Sequence, residues 1–122
     1  MIWLLLAVAE PTLDAEIEAC APTEQEIRPL TLCLAERSFE RADARLNAQW
    51  AITYPDVKTN SGSKAAKKLR QQQRRWIKAR DHECDAFSAN SPTTQHGRNF
   101  MGCLAKLTDE RTIVLRAMTG KQ

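Results

Sequence analysis

From Leu32 onward, apolar side chains return every third or fourth residue: Leu32, Ala35, Phe39, Ala42, Leu46 and Trp50, with Thr53 in the same register. That period is one face of an α-helix. Upstream, Thr23 stands three residues before Glu26, the spacing of a capping box. A helix continuous through Pro29 would lose a backbone hydrogen bond, so the pattern predicts a short turn at 23–28 and a long helix from about Pro29. The stretch TYPDVKTNSGS, residues 53–63, interrupts it with Pro55, Asn60 and Gly62 and reads as a loop.

Ser63 can cap a second helix, from about Lys64 to Phe87. Its inward face holds Leu69, Gln72 or Gln73, Trp76, Arg80, Glu83 and Phe87. That stripe is unusually polar, so the helix has to bury side chains that need hydrogen-bond partners. SANSPTTQHGRN, residues 88–99, contains Pro92 and Gly97 and reads as a second loop. Asn99 then opens a third helix with Phe100, Cys103, Leu104, Leu107, Val114, Leu115 and Met118 on its apolar face, ended by Gly120. Three helices joined by loops of roughly ten residues predict an all-α, antiparallel three-helix bundle behind a short N-terminal segment.

The chain begins MIWLLLAVAEP. The apolar run Ile2 to Val8 ends at Ala7-Val8-Ala9, a small-x-small site followed by Glu10, like the end of a secretory signal peptide. It falls short of the about 20 apolar residues that cross a bilayer, so no transmembrane segment is expected. The α-amino group of Met1 is the only positive charge ahead of it, which leaves either a very compact signal or a start further upstream. Residues 1–9 are therefore read as a signal peptide or its remnant, and 10–122 as a single helical domain.

Cys20, Cys33, Cys84 and Cys103 fit export, since an even count in a small exported chain suggests two disulfides. Folded as hairpins, the helices bring Cys33, Cys84 and Cys103 to one end, and level alone leaves all three connectivities open. At about 100° per residue, Cys103 lies roughly 40° from Leu107 and Cys84 roughly 80° from Trp76, so both face a neighbouring helix. Cys33 is turned roughly 140° from Leu46, toward the side where the segment carrying Cys20 can return. Phase thus favours Cys20–Cys33 with Cys84–Cys103, although connectivity does not follow from sequence alone.

Length and charge narrow the function. The 122 residues suffice for one small domain, and 43% of them are hydrophobic, enough for a core. Eighteen Lys and Arg against fifteen Asp and Glu leave a net charge of +3, too balanced to imply a nucleic-acid partner. His82, Cys84, His96 and Cys103 include two zinc-ligand types, but HEC has no ligand spacing and oxidised sulfur does not bind zinc. No metal and no cofactor is expected.

Three segments, ADARLNAQW (42–50), QRRWIKARDHEC (73–84) and CLAKLTDERTIVL (103–115), carry a shared pattern. Asp43, Leu46, Asn47 and Trp50 stand in the first; Gln73, Arg74, Trp76, Arg80, Asp81 and Cys84 in the second; Cys103, Leu104, Thr108, Arg111 and Leu115 in the third. In this order and spacing, and with Cys20 and Cys33 upstream, the chain resembles the lysozyme inhibitor LprI-like domain family over about residues 20–116. Two departures are Pro29, which interrupts a stretch usually read as helix, and Trp50, where tyrosine is commoner. The resemblance implies a small exported bacterial helical domain, many of whose relatives have no established function.

Physically, Asp43, Asn47, Gln73, Arg74, Arg80, Asp81 and Arg111 read as a polar network between helices. A partly buried arginine needs a carboxylate, so Arg80 is expected to pair with Asp43, with Asn47 and Gln73 filling the remaining sites and Trp76 packed beneath against Leu46 and Leu107. Asp43 and Asp81 make a poor catalytic dyad, because arginines in register would keep both ionised whereas a general acid needs a raised pKa. No Ser-His-Asp set or phosphate-binding glycine loop is present, and the chain reads as a non-enzyme.

Between Lys64 and Arg80 there is no acid. Lys64, Lys67, Lys68, Arg75 and Lys78 fall off the Trp76 face, giving either a solvated surface or a face for an anionic partner. Three functions therefore compete. The resemblance implies an envelope protein that inhibits a lysozyme, through TYPDVKTNSGS or SANSPTTQHGRN or a local acidic patch. The others are a structural or adaptor module binding another envelope protein, and an anionic-polymer binder. Oligomeric state is left open.

Overall fold

The computed structural model describes residues 10–21 and 29–120. The apolar run at 1–9 and the turn expected at 23–28 lie outside the described residues. These form α1 (Leu13–Ala19), α2 (Leu30–Ser61), α3 (Ser63–Ala89), a 3-10 turn (Thr93–Gln95) and α4 (His96–Met118). No strand occurs among them, so the all-α expectation is met, with four α-helices in place of three. None is long and apolar enough to cross a membrane.

Cross-helix contacts set the directions. Leu32 packs so closely on Gly97 that an added Cβ would meet its Cδ1 at 3.0 Å. Further along, Arg45 pairs with Asp109 and Thr53 bonds Leu115, so α2 and α4 run side by side in the same sense. α3 runs against both: its Arg70 reaches Tyr54, its Gln73 meets Arg111, and its Arg80 meets Phe39 and Thr108. Leu46, Leu69 and Leu115 form the centre of the core, with Trp50, Val57, Trp76 and Met118 packed around it.

The connections are far shorter than the pattern predicted. TYPDVKTNSGS is not a loop: α2 continues through Pro55 for 32 residues. A proline inside a helix costs a hydrogen bond and clashes with the preceding turn. Here tertiary contacts on both sides outweigh that cost. Thr53 is fully buried, donating to the Leu115 carbonyl (3.1 Å) and sharing a 2.7 Å hydrogen bond with Thr119, while Val57 packs on the core. Pro55 itself faces solvent. The break comes at Gly62, whose φ of +93° suits a residue without Cβ. Ser63 is the first residue of α3 and makes no capping bond; Gly62 holds the cap position.

α4 starts at His96, three residues before Asn99. The link ahead of it is tied down, with His96 Nε2 2.5 Å from the Ser91 carbonyl and Asn99 Nδ2 donating to Ser91 Oγ at 2.6 Å. Gly120 follows the end of α4 with a φ of +77°.

The inward stripe of α2 follows the expected register, and Ala42, Leu46 and Thr53 are its most buried members. On α3, Glu83 and Phe87 are exposed, Phe87 by 56%. Cys84 is fully buried instead, and the inner face runs through Ala66, Leu69, Gln73, Trp76, Arg80, Cys84 and Ser88. Bridging Cys84 to α4 turns Glu83 and Phe87 to the flanks. On α4, Val114 is exposed because Thr108, Thr112 and Leu115 take the inner side.

Both bridges match the favoured pairing: Cys20–Cys33 and Cys84–Cys103, with Cα–Cα distances of 5.7 and 5.5 Å. The first fastens α1, which the periodicity did not predict because seven residues carry too little of it. Thr12 Oγ1 caps α1 by accepting from the Ala15 N–H at 3.2 Å. Its Glu16, only 4% exposed, accepts from both Arg37 and Arg41 of α2. Glu10 reaches Arg41 (3.3 Å) and Arg45 (2.6 Å), and Arg45 grips Asp109 through two 3.0 Å bonds. The hydrogen bond to Asp109 leads in holding the Arg45 pKa above its ordinary value, against desolvation.

Closing loops of 13 and 19 residues, each bridge stabilises the fold by about 3 kcal/mol through the unfolded chain. The Cys20→Ser/Cys33→Ser variant is expected to lose about that much in urea unfolding, with amide protection lost in α1 and kept in α2 to α4. Unchanged protection of α1 would show that the Glu16 pairs hold it unaided.

Candidate interaction surface

Much of the shared pattern turns inward. Arg80, its side chain 10% exposed, bonds Asp81 through Nε (3.0 Å) and Nη2 (2.9 Å) and donates from Nη1 to Thr108 Oγ1 at 3.3 Å. Its guanidinium lies 5.4 Å from the Phe39 ring centre and 5.1 Å from that of Trp76. Arg111 lies 5.7 Å from the Trp76 ring centre and donates from Nε to Gln73 Oε1 at 2.8 Å. Its Nη2 is buried without a hydrogen-bond partner, and desolvation pushes its pKa below the usual arginine value. Aromatic faces and hydrogen bonds thus accommodate two cations between α3 and α4.

The expected Arg80–Asp43 pair does not form. Asp81, one residue along the same helix, takes that role, and Arg80 turns toward α4. Asp43 accepts from Asn47 at 3.4 Å, and Gln73 serves Arg111, so neither Asn47 nor Gln73 completes Arg80 as expected. Asp43, Asn47 and the exposed Arg74 line an outer groove between α2 and α3, with Arg80 at its wall. Leu46 and Trp76 belong to the core, and Trp76 also shares a groove with Leu107. Trp50 stacks on Tyr54 at 5.3 Å.

The sequence reading placed Thr53 on the inner stripe of α2 but missed that Thr108 and Thr112 are buried. Thr53 donates to the Leu115 carbonyl of α4, Thr108 accepts from Arg80 of α3, and Thr112 donates to the Thr108 carbonyl one turn back. The spacing of Thr108 and Thr112 from Leu115 was a usable signal, hidden by their polarity. Arg37, Arg41 and Arg45 at four-residue steps were likewise overlooked.

Two kinds of surface result. The end stapled by the disulfides carries a depression of about 490 Å³ in which Ala35, Phe87, Gly102, Cys103 and Leu107 are joined by Glu83, Arg98, Asn99 and Lys106. On the side facing α2, Asp43 lines the outer groove whose wall is Arg80, itself paired with Asp81. Away from both, Lys64, Lys67, Lys68, Arg75 and Lys78 are all exposed. All four cysteines are bridged, and among the described residues no group of His, Cys, Asp and Glu could hold a metal ion.

These features define a small, doubly disulfide-bonded helical protein whose distinctive residues build contacts and surfaces. The family model for Lysozyme inhibitor LprI matches residues 13–115, and the chain belongs to that family. No curated protein and no solved structure matches it.

Removing the Gln73 acceptor should expose how the inner cations are held. Gln73→Leu is expected to destabilise by about 2 kcal/mol, because Arg111 loses its bond while staying buried. Arg111→Met is expected to be neutral or stabilising within about 1 kcal/mol, since an apolar replacement needs no partner. Urea unfolding of both variants measures the difference; a larger loss for Arg111→Met would mean that its stacking on Trp76 dominates.

Proposed function

We propose that this is an exported cell-envelope protein that binds a lysozyme and inhibits it by covering its surface, without catalysis of its own. Membership of the LprI family is the observation that carries the reading. Two closed disulfides favour an oxidising compartment, the periplasm or the cell exterior. The apolar run before Glu10 supports export, with 1–9 as signal peptide and 10–122 as the mature domain.

A net charge of +3 gives no long-range steering toward a basic lysozyme, so local chemistry has to carry recognition. The stapled end supplies it. Glu83 in the wall of the depression offers a carboxylate, and Phe87, 56% exposed in the same wall, offers an anchor. Of the two polar segments with loop character, only the second keeps a link between long helices, at 90–95, and it is tied to α4 by His96 and Asn99, so little ordering cost attends its binding.

A structural or adaptor role is the second reading. It is favoured by the inward placement of Leu46, Gln73, Trp76, Arg80 and Arg111, which makes the family pattern a signature of fold.

Titrating the purified, oxidised protein against animal and bacterial lysozymes, with cell-wall hydrolysis as readout, tests the proposal. Stoichiometric inhibition of at least one class is expected, weakened about tenfold or more by Phe87→Ala at unchanged helicity. A folded, doubly bridged protein that inhibits none would sink the reading in favour of the adaptor role.

A further inference from the structure

The cations of α3 divide into two sets. Arg70 donates from Nη2 to the Tyr54 hydroxyl at 2.5 Å and lies over its ring, Arg74 sits on the groove facing α2, and Arg80 is enclosed by Asp81, Thr108, Phe39 and Trp76. The other five, Lys64, Lys67, Lys68, Arg75 and Lys78, are exposed, and none forms an ion pair with a described residue. At about 100° per residue they fall within roughly 60° of one line, opposite the buried Ala66, Gln73 and Cys84. From Lys64 to Lys78 the stripe is about 21 Å long. A shallow trough follows most of its length, lined by Lys64, Lys67, Lys68, Gln72 and Arg75.

This arrangement works against the helix that carries it. The start of α3 bears the positive end of the helix dipole, yet its first turn contains Lys64 and no acid, with Lys67 and Lys68 in the next turn. Lys64 and Lys68 are like charges four residues apart, and Arg75 and Lys78 three apart, both repulsive spacings. Asp85 lies toward the opposite end, where the dipole disfavours an acid. A surface serving only solubility would intersperse the signs. Local rules broken without internal compensation mark places where function sets the sequence.

We infer that this stripe docks a linear polyanion, a polyol-phosphate chain of the cell envelope lying along α3. The inference rests on the exported location proposed above and is independent of lysozyme binding. Charge complementarity selects a polyanion, and the neighbours of the cations select its kind. Ala65, Gln71 and Gln72 include no large apolar group to enter a bilayer, as helices lying on membranes carry. No aromatic ring lies among them to stack a nucleobase. The Gln71 and Gln72 amides both donate and accept, which suits hydroxyls between phosphates. The stripe faces away from the core, so a chain bound there leaves the stapled end open. The protein would be held at the wall by one face while presenting the other.

Fluorescence anisotropy of a labelled synthetic poly(glycerol phosphate) oligomer, long enough to span the stripe, tests this with the full oxidised protein. Binding is expected, weakening steeply as salt rises past about 0.1 M, where screening acts over about 10 Å. The Lys64→Gln/Lys67→Gln/Lys68→Gln/Lys78→Gln variant should bind about thirtyfold more weakly, each exposed contact contributing a factor of about two to three. Circular dichroism should show it folded, with a melting temperature no lower than the parent's, because repulsion has been removed. Undiminished affinity in that folded variant, or no binding by the parent, would overturn the inference. Tighter binding of phosphatidylglycerol vesicles at equal phosphate, or equally tight binding of single-stranded DNA of matched charge, would also overturn the polyol-phosphate assignment. No lysozyme enters the assay, so its failure leaves the inhibitor reading standing.

Discussion

Along the inner face of α3, Ala66, Leu69 and Trp76 supply the carbon, and Gln73, Arg80, Cys84 and Ser88 take the remaining positions. A helix with so little apolar surface is not held by burial alone, since packing of an apolar face is the usual source of helix stability in proteins. Two other interactions make up the difference. Arg80 and Arg111 lie against Trp76 and find acceptors in Asp81, Thr108 and Gln73, and the Cys84–Cys103 bridge fixes the far end to α4. The positions of the outer surfaces follow, because rotating α3 about its axis would break these bonds.

The same logic of cation and partner appears on α2. Arg37, Arg41 and Arg45 form a column whose charge is taken up by Glu16 and Glu10 of the N-terminal segment and by Asp109 of α4. The Cys20–Cys33 bridge keeps that segment in place. The cations of this column are thus matched by acids, and those on the outer stripe of α3 are not. A net charge of +3 conceals this division, which gives the molecule a compensated side and an uncompensated one.

How much was legible in the sequence varied with the kind of signal. The stripe from Leu32 to Thr53 stated the inner face of α2 correctly, because apolar periodicity reports burial directly. Helix phase favoured the disulfide pairing that formed, while level alone left all three connectivities open. Pro55 and Asn60 misled, since they report a local cost and carry no information about Thr53 and Val57, whose contacts hold the helix on either side. Glu83, Phe87 and Val114 lay within one helical step of the buried face, and only the bridge and the threonine contacts decided which residues turned inward.

For the candidate surfaces, residue types were readable and partners were not. That Arg80 needed an acceptor followed from the cost of burying an unpaired charge, but Asp43 and Asp81 both met that need on paper. The reach of the side chain toward Thr108 and Trp76 selected Asp81. The sequence by itself determined the helical class, the inner face of α2, the family and the exposed basic stripe, because each is written in the spacing of residues along one helix or in their order. Tertiary structure alone decided where helices end, which acid meets which arginine and how α1 docks. Those outcomes depend on distances between residues far apart in the chain, where several pairings satisfy the same chemistry and packing selects among them.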